Sequence, residues 1–308
     1  MLIFEQRTEK QTALLTLPSN TTRALARSIS YIENEVPGFE ELLAGLQTND
    51  QVKVIGITGP PGAGKSTLVD ALIHVMVKEG KKVGVLCVDP SSPFNFGALL
   101  GDRIRMSEWY DHPNVYIRSL ATRGSLGGLH PRIIEITELM KASDFDYVIV
   151  ETVGVGQSEV EIVGLADITI VTMVPEAGDE VQTMKAGLME IADIFVVNKA
   201  DRPGADLFVK NLRMMLAPVF STHQYEIPIV KTIASQKEGV DQLYQKILEF
   251  FRNPVHQSKR SWLLTERAWF LIQQYRMKDL SKEALKQAVE AALQEGQFNL
   301  YRFIKPWI

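Results

Sequence analysis

The stretch GPPGAGKS, Gly59 to Ser66, has the residue types and the spacing needed to hold the phosphates of a nucleotide. It fits the pattern G-x-x-x-x-G-K-[ST], in which glycines let successive backbone N–H groups surround phosphate oxygens. Lys65 then reaches the β- and γ-phosphates, and the Ser66 hydroxyl is offered to Mg²⁺. The apolar run 52–57 and the amphipathic segment 67–78 predict the strand before the loop and the helix after it. The predicted nucleotide-binding residues here are Gly59, Pro60, Pro61, Gly62, Ala63, Gly64, Lys65, Ser66 and Thr67.

The segment Asn198-Lys199-Ala200-Asp201 indicates which base is bound. A carboxylate at Asp201 can accept hydrogen bonds from the N1–H and the 2-amino group of guanine, a donor pattern that adenine lacks. The aliphatic stem of Lys199 can lie along the base, and the N–H of Ala234 is a candidate partner for the guanine carbonyl. A lone N-K-x-D is often an ordinary polar turn, but here it follows the apolar run 194–197 and a phosphate loop. The predicted ligands are therefore GTP and GDP.

Three acidic residues are candidates for holding Mg²⁺ together with Ser66. Mg²⁺ takes oxygen ligands, and carboxylates can reach the phosphate loop from the ends of neighbouring strands. Asp89 follows the apolar run 83–88, Glu151 ends the run 147–150, and Asp102 lies in a charged, loop-like segment. An acidic residue at the end of a strand can equally cap a turn or a helix. Which of the three binds the ion directly stays open.

The segment 151–154, Glu-Thr-Val-Gly, has the spacing of a D-x-x-G switch with Glu in place of Asp. Gly154 would bring a backbone N–H to the γ-phosphate, because only glycine allows such a close approach. Val155 stands where many GTPases carry a glutamine that positions the attacking water, and Gln157 is the nearby candidate for that role. The predicted catalytic residues are Lys65, Glu151, Gly154 and Gln157.

Composition excludes several classes of protein. Of the 308 residues, 45% are hydrophobic and 23% are charged, which is typical of a globular protein. The net charge of -4 argues against a general nucleic-acid-binding surface. The one cysteine, Cys87, forms no internal disulfide and fits a reducing compartment. Early charges and the lack of a long apolar run predict no signal peptide and no membrane span, so we expect a cytoplasmic protein, or an organelle-matrix protein if a transit peptide is removed.

The order of apolar runs predicts the architecture. Short apolar runs alternate with amphipathic segments, a pattern typical of βαβ units and of a parallel sheet with helices on both faces. The apolar runs are 52–57, 83–88, 115–119, 147–152, 168–174, 194–197 and 227–231, and the amphipathic segments are 67–78, 131–142, 180–191 and 205–217. We therefore predict an α/β fold, a P-loop NTPase with a doubly wound, mostly parallel sheet and helical N- and C-terminal extensions.

The two ends of the chain differ from its centre. We predict an N-terminal helical extension over 1–48, a GTPase domain over 49–252, and a C-terminal helical arm over 253–308. The arm carries three of the four tryptophans and is rich in other aromatic residues. Such an arm either packs back on the core or forms an association surface, since aromatic anchors dominate interfaces. Self-association is the interpretation we favour.

Seven motifs together resemble one family. GPPGAGKST, VDPSSP, GDRIRM, RGSLGGL, ETVGVGQSE, VPEAGDEVQTMKAG and NKAD occur in this order, and over about residues 20–255 the sequence closely resembles the MeaB/ArgK GTPases, the methylmalonyl-CoA mutase-associated G-protein chaperones. The resemblance implies GTP hydrolysis coupled to loading, protection or repair of an adenosylcobalamin-dependent acyl-CoA mutase, and a homodimer.

The resemblance also implies roles for particular residues. It places Asp89, Asp102 and Glu151 around Mg²⁺, and it matches a partner-sensing switch to the loop 176–185. The switch candidates are Glu176, Asp179, Glu180, Gln182 and Lys185.

Two other functions are weaker alternatives. A GTP-dependent metallochaperone for a nickel enzyme would need thiol or imidazole ligands, whereas this chain has one cysteine and five histidines without ligand spacing. A small-molecule or protein kinase would need a phosphoacceptor site and no guanine reader. Comparing GTP with ATP binding, and measuring the metal content, separates these alternatives.

Overall fold

The computed structural model describes residues 21–89, 106–123, 129–154, 162–176, 191–220, 226–253, 259–294, 296 and 298–307. The chain divides into two compact units, Met1–Arg260 and Ser261–Ile308. The predicted boundaries after residues 48 and 252 stay predictions. Among the described residues, no helix is long and apolar enough to cross a membrane.

The first unit is built on one seven-stranded sheet in which every described pairing is parallel. The strands lie in the order β3-β2-β4-β1-β5-β6-β7. They are β1 (Lys53–Thr58), β2 (Val83–Asp89), β3 (Val115–Ala121), β4 (Tyr147–Glu151), β5 (Ile168–Met173), β6 (Ile194–Val197) and β7 (Ile229–Lys231). The predicted α/β class with a parallel sheet is confirmed. Because the strands are parallel, the loops that follow them meet at one edge of the sheet.

Helices cover both faces of this sheet. Those of the first unit are α1 (Thr22–Glu33), α2 (Phe39–Ala44), α3 (Lys65–Lys78), α4 (Ile133–Lys141), α5 (Ala205–Phe220) and α6 (Val240–Arg252). Helix α7 (Lys259–Arg276) begins at the end of the first unit, and α8 (Lys282–Gln294) and α9 (Leu300–Ile304) belong to the second. Side-chain oxygens cap the N-termini of at least three of these described helices: Thr21 Oγ1 accepts from Ala24 N at 3.3 Å, Ser281 Oγ accepts from Ala284 N at 3.2 Å, and Asn299 Oδ1 accepts from Arg302 N at 3.1 Å.

The apolar strands supply the core on both faces. In β1, Ile55 and Ile57 pack with α3 and α6, whereas Val54 points to the opposite face and packs with α1 and α4. This alternation follows from the two-residue period of a strand. Burial on both faces explains why the strands read as nearly continuous apolar runs in the sequence.

Three arginines hold the N-terminal helix α1 and the turn that follows it. Arg118 donates to the carboxylate of Glu33, and Arg123 donates to the backbone carbonyl of Glu33 at 2.5 Å. Arg132 forms an ion pair with Glu35 at 2.9 Å. These contacts, two of them partly buried, fix α1 beside strand β3 and helix α4.

His130 is buried next to these arginines, and its pKa predicts how stability depends on pH. Burial, and then the positive charges of Arg123, Arg132 and Arg118, lower the pKa of His130 to about 4. Its Nδ1 accepts the backbone N–H of Arg132 at 3.0 Å. Below about pH 6.5 the unfolded chain protonates this histidine and the folded chain does not, so its contribution to stability is lost as the pH falls from about 6.5 to about 4.

Because of this histidine, we expect the free energy of unfolding to fall by about 2 kcal/mol when the pH is lowered from 7 to 5. Urea denaturation of the wild type and of His130→Asn at both pH values measures it. Asparagine keeps an acceptor but does not titrate, so the variant should lose about 2 kcal/mol less over the same interval. Equal losses in both proteins would show that His130 does not carry the effect.

Candidate functional site

The predicted phosphate loop joins the end of β1 to the start of α3, and its backbone is in close contact with other loops. Gly64 has a φ of +86°, which favours glycine. A Cβ atom on Gly64 would lie 2.4 Å from Nδ2 of Asn198, so no other residue fits without a shift of that side chain. The loop thus leads directly into the N-terminus of α3, and phosphate binding at this position stays a prediction.

Lys65 is the first residue of α3, and its buried ammonium group reaches back into the loop. Its Nζ donates to the carbonyl of Gly59 at 2.9 Å and to the carbonyl of Pro60 at 3.1 Å. Gly154, which follows β4 and has a φ of +83°, lies against the same group, because a Cβ there would be 2.4 Å from Lys65 Nζ. The structure therefore brings two of the predicted catalytic residues together.

Two of the candidate magnesium ligands, Ser66 and Glu151, are in contact at this edge, and a third, Asp89, ends the neighbouring strand. The buried Ser66 hydroxyl donates to Oε1 of Glu151 at 2.6 Å. Glu151 is the last residue of β4, and Asp89 is the last residue of the neighbouring strand β2. Both carboxylates are buried. Hydroxyl and carboxylate oxygens beside a phosphate loop are a donor set that Mg²⁺ prefers.

Asn198 links three loops at this edge, a role that the sequence did not reveal. Its Nδ2 donates to the carbonyl of Ala63 at 2.9 Å. Its Oδ1 accepts from Thr232 Oγ1 and from Ala234 N, both at 3.1 Å. Asn198 thus holds the loops after β6 and β7 against the phosphate loop. If the Ala234 N–H donates to guanine, it must either share this hydrogen bond with Asn198 or give it up.

Lys199 and Asp201 follow Asn198 in the same turn. The Nζ of Lys199 donates to the carbonyl of Gly62 at 2.7 Å, and its φ is +56°. Asp201 is exposed at the end of the same turn. The long stem of Lys199 therefore lies next to the phosphate loop, and the carboxylate remains accessible to a ligand.

Glu176, the first residue of the predicted switch, contacts the turn of the base-reading motif. Its carboxylate accepts from Arg202, directly after Asp201, and this hydrogen bond lowers the pKa of Glu176. No pattern in the sequence singles out Arg202, because the contact joins loops that follow two different strands. The other candidates lie outside the described residues: Asp102, Gln157, Asp179, Glu180, Gln182 and Lys185.

The chain is similar in sequence to known proteins over most of its length. The family model described as methylmalonyl Co-A mutase-associated GTPase MeaB matches residues 25–291. A protein of Pyrococcus abyssi named as a GTPase is 45% identical over 282 residues, which are 90% of this chain and 85% of that protein. The fused isobutyryl-CoA mutase of Geobacillus kaustophilus is 38% identical over 234 residues, 71% of this chain and 22% of that protein.

A solved structure shows the same fold. The crystal structure of a LAO/AO transport system kinase has a TM-score of 0.65 and 24% sequence identity, and the match covers 97% of this chain and 95% of that one.

Proposed function

This chain belongs to the methylmalonyl-CoA mutase-associated GTPases of the MeaB family, and on that basis we propose that it is a chaperone of an adenosylcobalamin-dependent acyl-CoA mutase. It is a GTPase, which converts GTP and water to GDP and phosphate. In the proposed role, GTP hydrolysis assists loading, protection or reactivation of the mutase. Methylmalonyl-CoA mutase or a close relative is the proposed partner.

One observation carries the choice of partner. A segment 38% identical to this chain is part of a protein named as a fused isobutyryl-CoA mutase. Covalent fusion keeps two activities at a high effective concentration, which is useful when the two parts act on each other. The same relationship between separate chains would require a binding surface for the mutase on this GTPase.

We further propose that Ser66 and Glu151 hold Mg²⁺ with the bound nucleotide, with Asp89 beside them. The 2.6 Å contact between the Ser66 hydroxyl and the Glu151 carboxylate places two hard oxygen donors next to the phosphate loop. When bound, Mg²⁺ would neutralise charge that develops on the phosphate oxygens. Lys65 would supply a second positive charge to the same oxygens.

The contacts around the phosphate loop support a role for Asn198 and Lys199 in positioning the nucleotide. Asn198 and Lys199 each bond to a carbonyl of the phosphate loop, so the base-reading turn and the phosphate loop are held as one unit. Catalysis of phosphoryl transfer depends mainly on positioning and electrostatics. Since Val155 replaces the usual water-positioning glutamine, we expect slow intrinsic turnover, accelerated when a partner orders the switch.

The switch proposal predicts a specific kinetic result. Lys185→Ala should leave GTP hydrolysis by the isolated protein nearly unchanged, and should reduce the acceleration by the mutase about 5-fold or more, because the loop transmits the partner's effect. Turnover is measured with and without a purified acyl-CoA mutase. Lys210→Ala, which removes an exposed lysine on α5, is the matched control and should behave like the wild type.

The outcome separates three roles for Lys185. Equal loss with and without the mutase would make Lys185 an intrinsic catalytic or folding residue. No loss in either setting would leave the loop without a sensing role. If no acyl-CoA mutase accelerates the wild type or co-purifies with it from native extract, the proposed function itself is wrong.

We also propose that the chain is a homodimer that associates through its second unit. In that unit Trp269 and Tyr275 are about 60% exposed on α7, and Tyr301 on α9 is 76% exposed. Large exposed aromatic side chains are typical anchors of protein interfaces. Light scattering of the full chain and of a Trp269→Ala, Tyr275→Ala variant tests this, since the variant should shift to the monomer mass.

A further inference from the structure

Three potential metal ligands meet away from the phosphate loop. Asp70 and His74 lie one turn apart on the same side of α3, and Glu108 belongs to the short 3₁₀ turn Ser107–Trp109. One ligand atom from each side chain lies within 4.8 Å of the others. Sequence spacing does not reveal this cluster, because Glu108 belongs to a segment that is distant from α3 in the chain.

The surrounding contacts orient these groups. Nε1 of Trp109 donates to Oδ1 of Asp70 at 2.7 Å, which fixes the carboxylate and leaves its other oxygen for a ligand. The Trp109 ring packs edge-on against the His74 ring, with 4.5 Å between centroids. His74 Nε2 is 2.7 Å from Oε1 of Glu108. Metal sites commonly have such outer hydrogen bonds, which set the direction of the ligands.

The charge of the cluster favours a cation. Burial, with a smaller contribution from the Glu108 carboxylate, raises the pKa of Asp70, so negative charge is unfavourable here. The hydrogen bond from Trp109, and then the charges of His74 and Lys237, lower this pKa in part. A bound divalent ion would compensate both carboxylates directly.

We propose that Asp70, His74 and Glu108 form a second metal site, which binds a divalent transition-metal ion of the Zn²⁺ class. One imidazole and two carboxylates suit Zn²⁺, whereas Mg²⁺ prefers ligands that are all oxygen. Three protein ligands leave a position for water or a further group. The ion would join the 3₁₀ turn to the helix that begins at Lys65. This site is independent of the proposed mutase partner.

The Trp109–Asp70 and His74–Glu108 hydrogen bonds could hold the 3₁₀ turn on α3 without any metal. The variant His74→Gln separates this interpretation from a metal site. The glutamine amide can still donate to Glu108, but it is a poor ligand for Zn²⁺. Asp70→Asn likewise keeps an acceptor for the Trp109 indole N–H and removes the charge. Both variants therefore preserve the hydrogen bonds and lose the metal site.

The experiment is isothermal titration of the untagged full chain with ZnCl₂, in the presence of GDP and excess Mg²⁺ to occupy the phosphate edge. We expect one Zn²⁺ per chain. At 100 times the dissociation constant, the ion should raise the melting temperature by about 5 °C or more. His74→Gln and Asp70→Asn should weaken Zn²⁺ binding about 100-fold, and Trp109→Phe about 10-fold through the lost outer hydrogen bond.

His112→Gln is the matched control. The His112 ring also packs on Trp109, at 5.5 Å between centroids, but its Nδ1 accepts the backbone N–H of Asn114 and it is not part of the cluster. This variant should bind Zn²⁺ like the wild type. Absence of Zn²⁺ binding, unchanged affinity in His74→Gln, or an equal loss in His112→Gln would each overturn the proposal.

Discussion

Asp201→Asn is expected to weaken GDP binding about 100-fold, or about 3 kcal/mol. The carboxylate of Asp201 is exposed at the end of the turn that Asn198 holds against the phosphate loop. We expect this carboxylate to accept two hydrogen bonds from guanine. In the variant, the amide NH₂ of asparagine faces one of the two guanine donors, so that hydrogen bond is lost. Because xanthine has a carbonyl in place of the 2-amino group, XDP should bind the variant better than GDP does.

Asp206→Asn is the control for this experiment. Asp206 is an exposed carboxylate near the start of α5 and pairs with Lys231 at 2.8 Å. Its neutralisation removes the same charge without touching the base, so GDP affinity should stay close to that of the wild type. Titration with fluorescent GDP and XDP gives all the affinities. Full GDP affinity in Asp201→Asn would show that another group reads the base.

Glu151→Gln is expected to lower Mg²⁺-dependent GTP hydrolysis about 100-fold or more while keeping GDP binding. The glutamine side chain can still accept the Ser66 hydroxyl that now bonds to Oε1 at 2.6 Å, so the local packing should be retained. What is lost is the negative charge beside the proposed Mg²⁺ position. Single-turnover hydrolysis over a range of Mg²⁺ concentrations measures the effect.

Asp167→Asn serves as the control for neutralising a structural carboxylate of the same sheet. Asp167 lies just before β5, at the opposite edge, where its Oδ2 accepts the backbone N–H of Val54 at 2.8 Å. This variant should hydrolyse GTP at nearly the wild-type rate. Unchanged hydrolysis in Glu151→Gln would move the proposed metal role to Asp89 or Asp102.

The fold was predictable because its signals are local. Each strand of a parallel sheet is buried on both faces, so it appears as a short apolar run, and the helices between strands appear as amphipathic segments. The runs at 52–57 and 147–152 correspond closely to β1 and β4. The order of motifs likewise identified the family, which the match over residues 25–291 confirms.

The strand order was not predictable in the same way. Strand β4 lies between β1 and β2, although β2 follows β1 in the chain. This arrangement puts Glu151 beside Ser66, and no spacing in the sequence encodes a contact across the sheet. Pairing of strands depends on how helices pack over the whole sheet, which is a property of the assembled core.

The available chemistry is visible in the sequence: a glycine-rich loop with Lys65 and Ser66, an N-K-x-D turn, and acidic residues at strand ends. These motifs can be detected in the sequence because the residues of each lie within a short stretch of the chain. Folding of the chain is needed to show that Asn198 joins three loops and that Glu176 contacts Arg202. The same holds for the contact between Glu108 and His74. Those contacts join segments that are far apart in the chain, so they exist only once the sheet and its helices have packed.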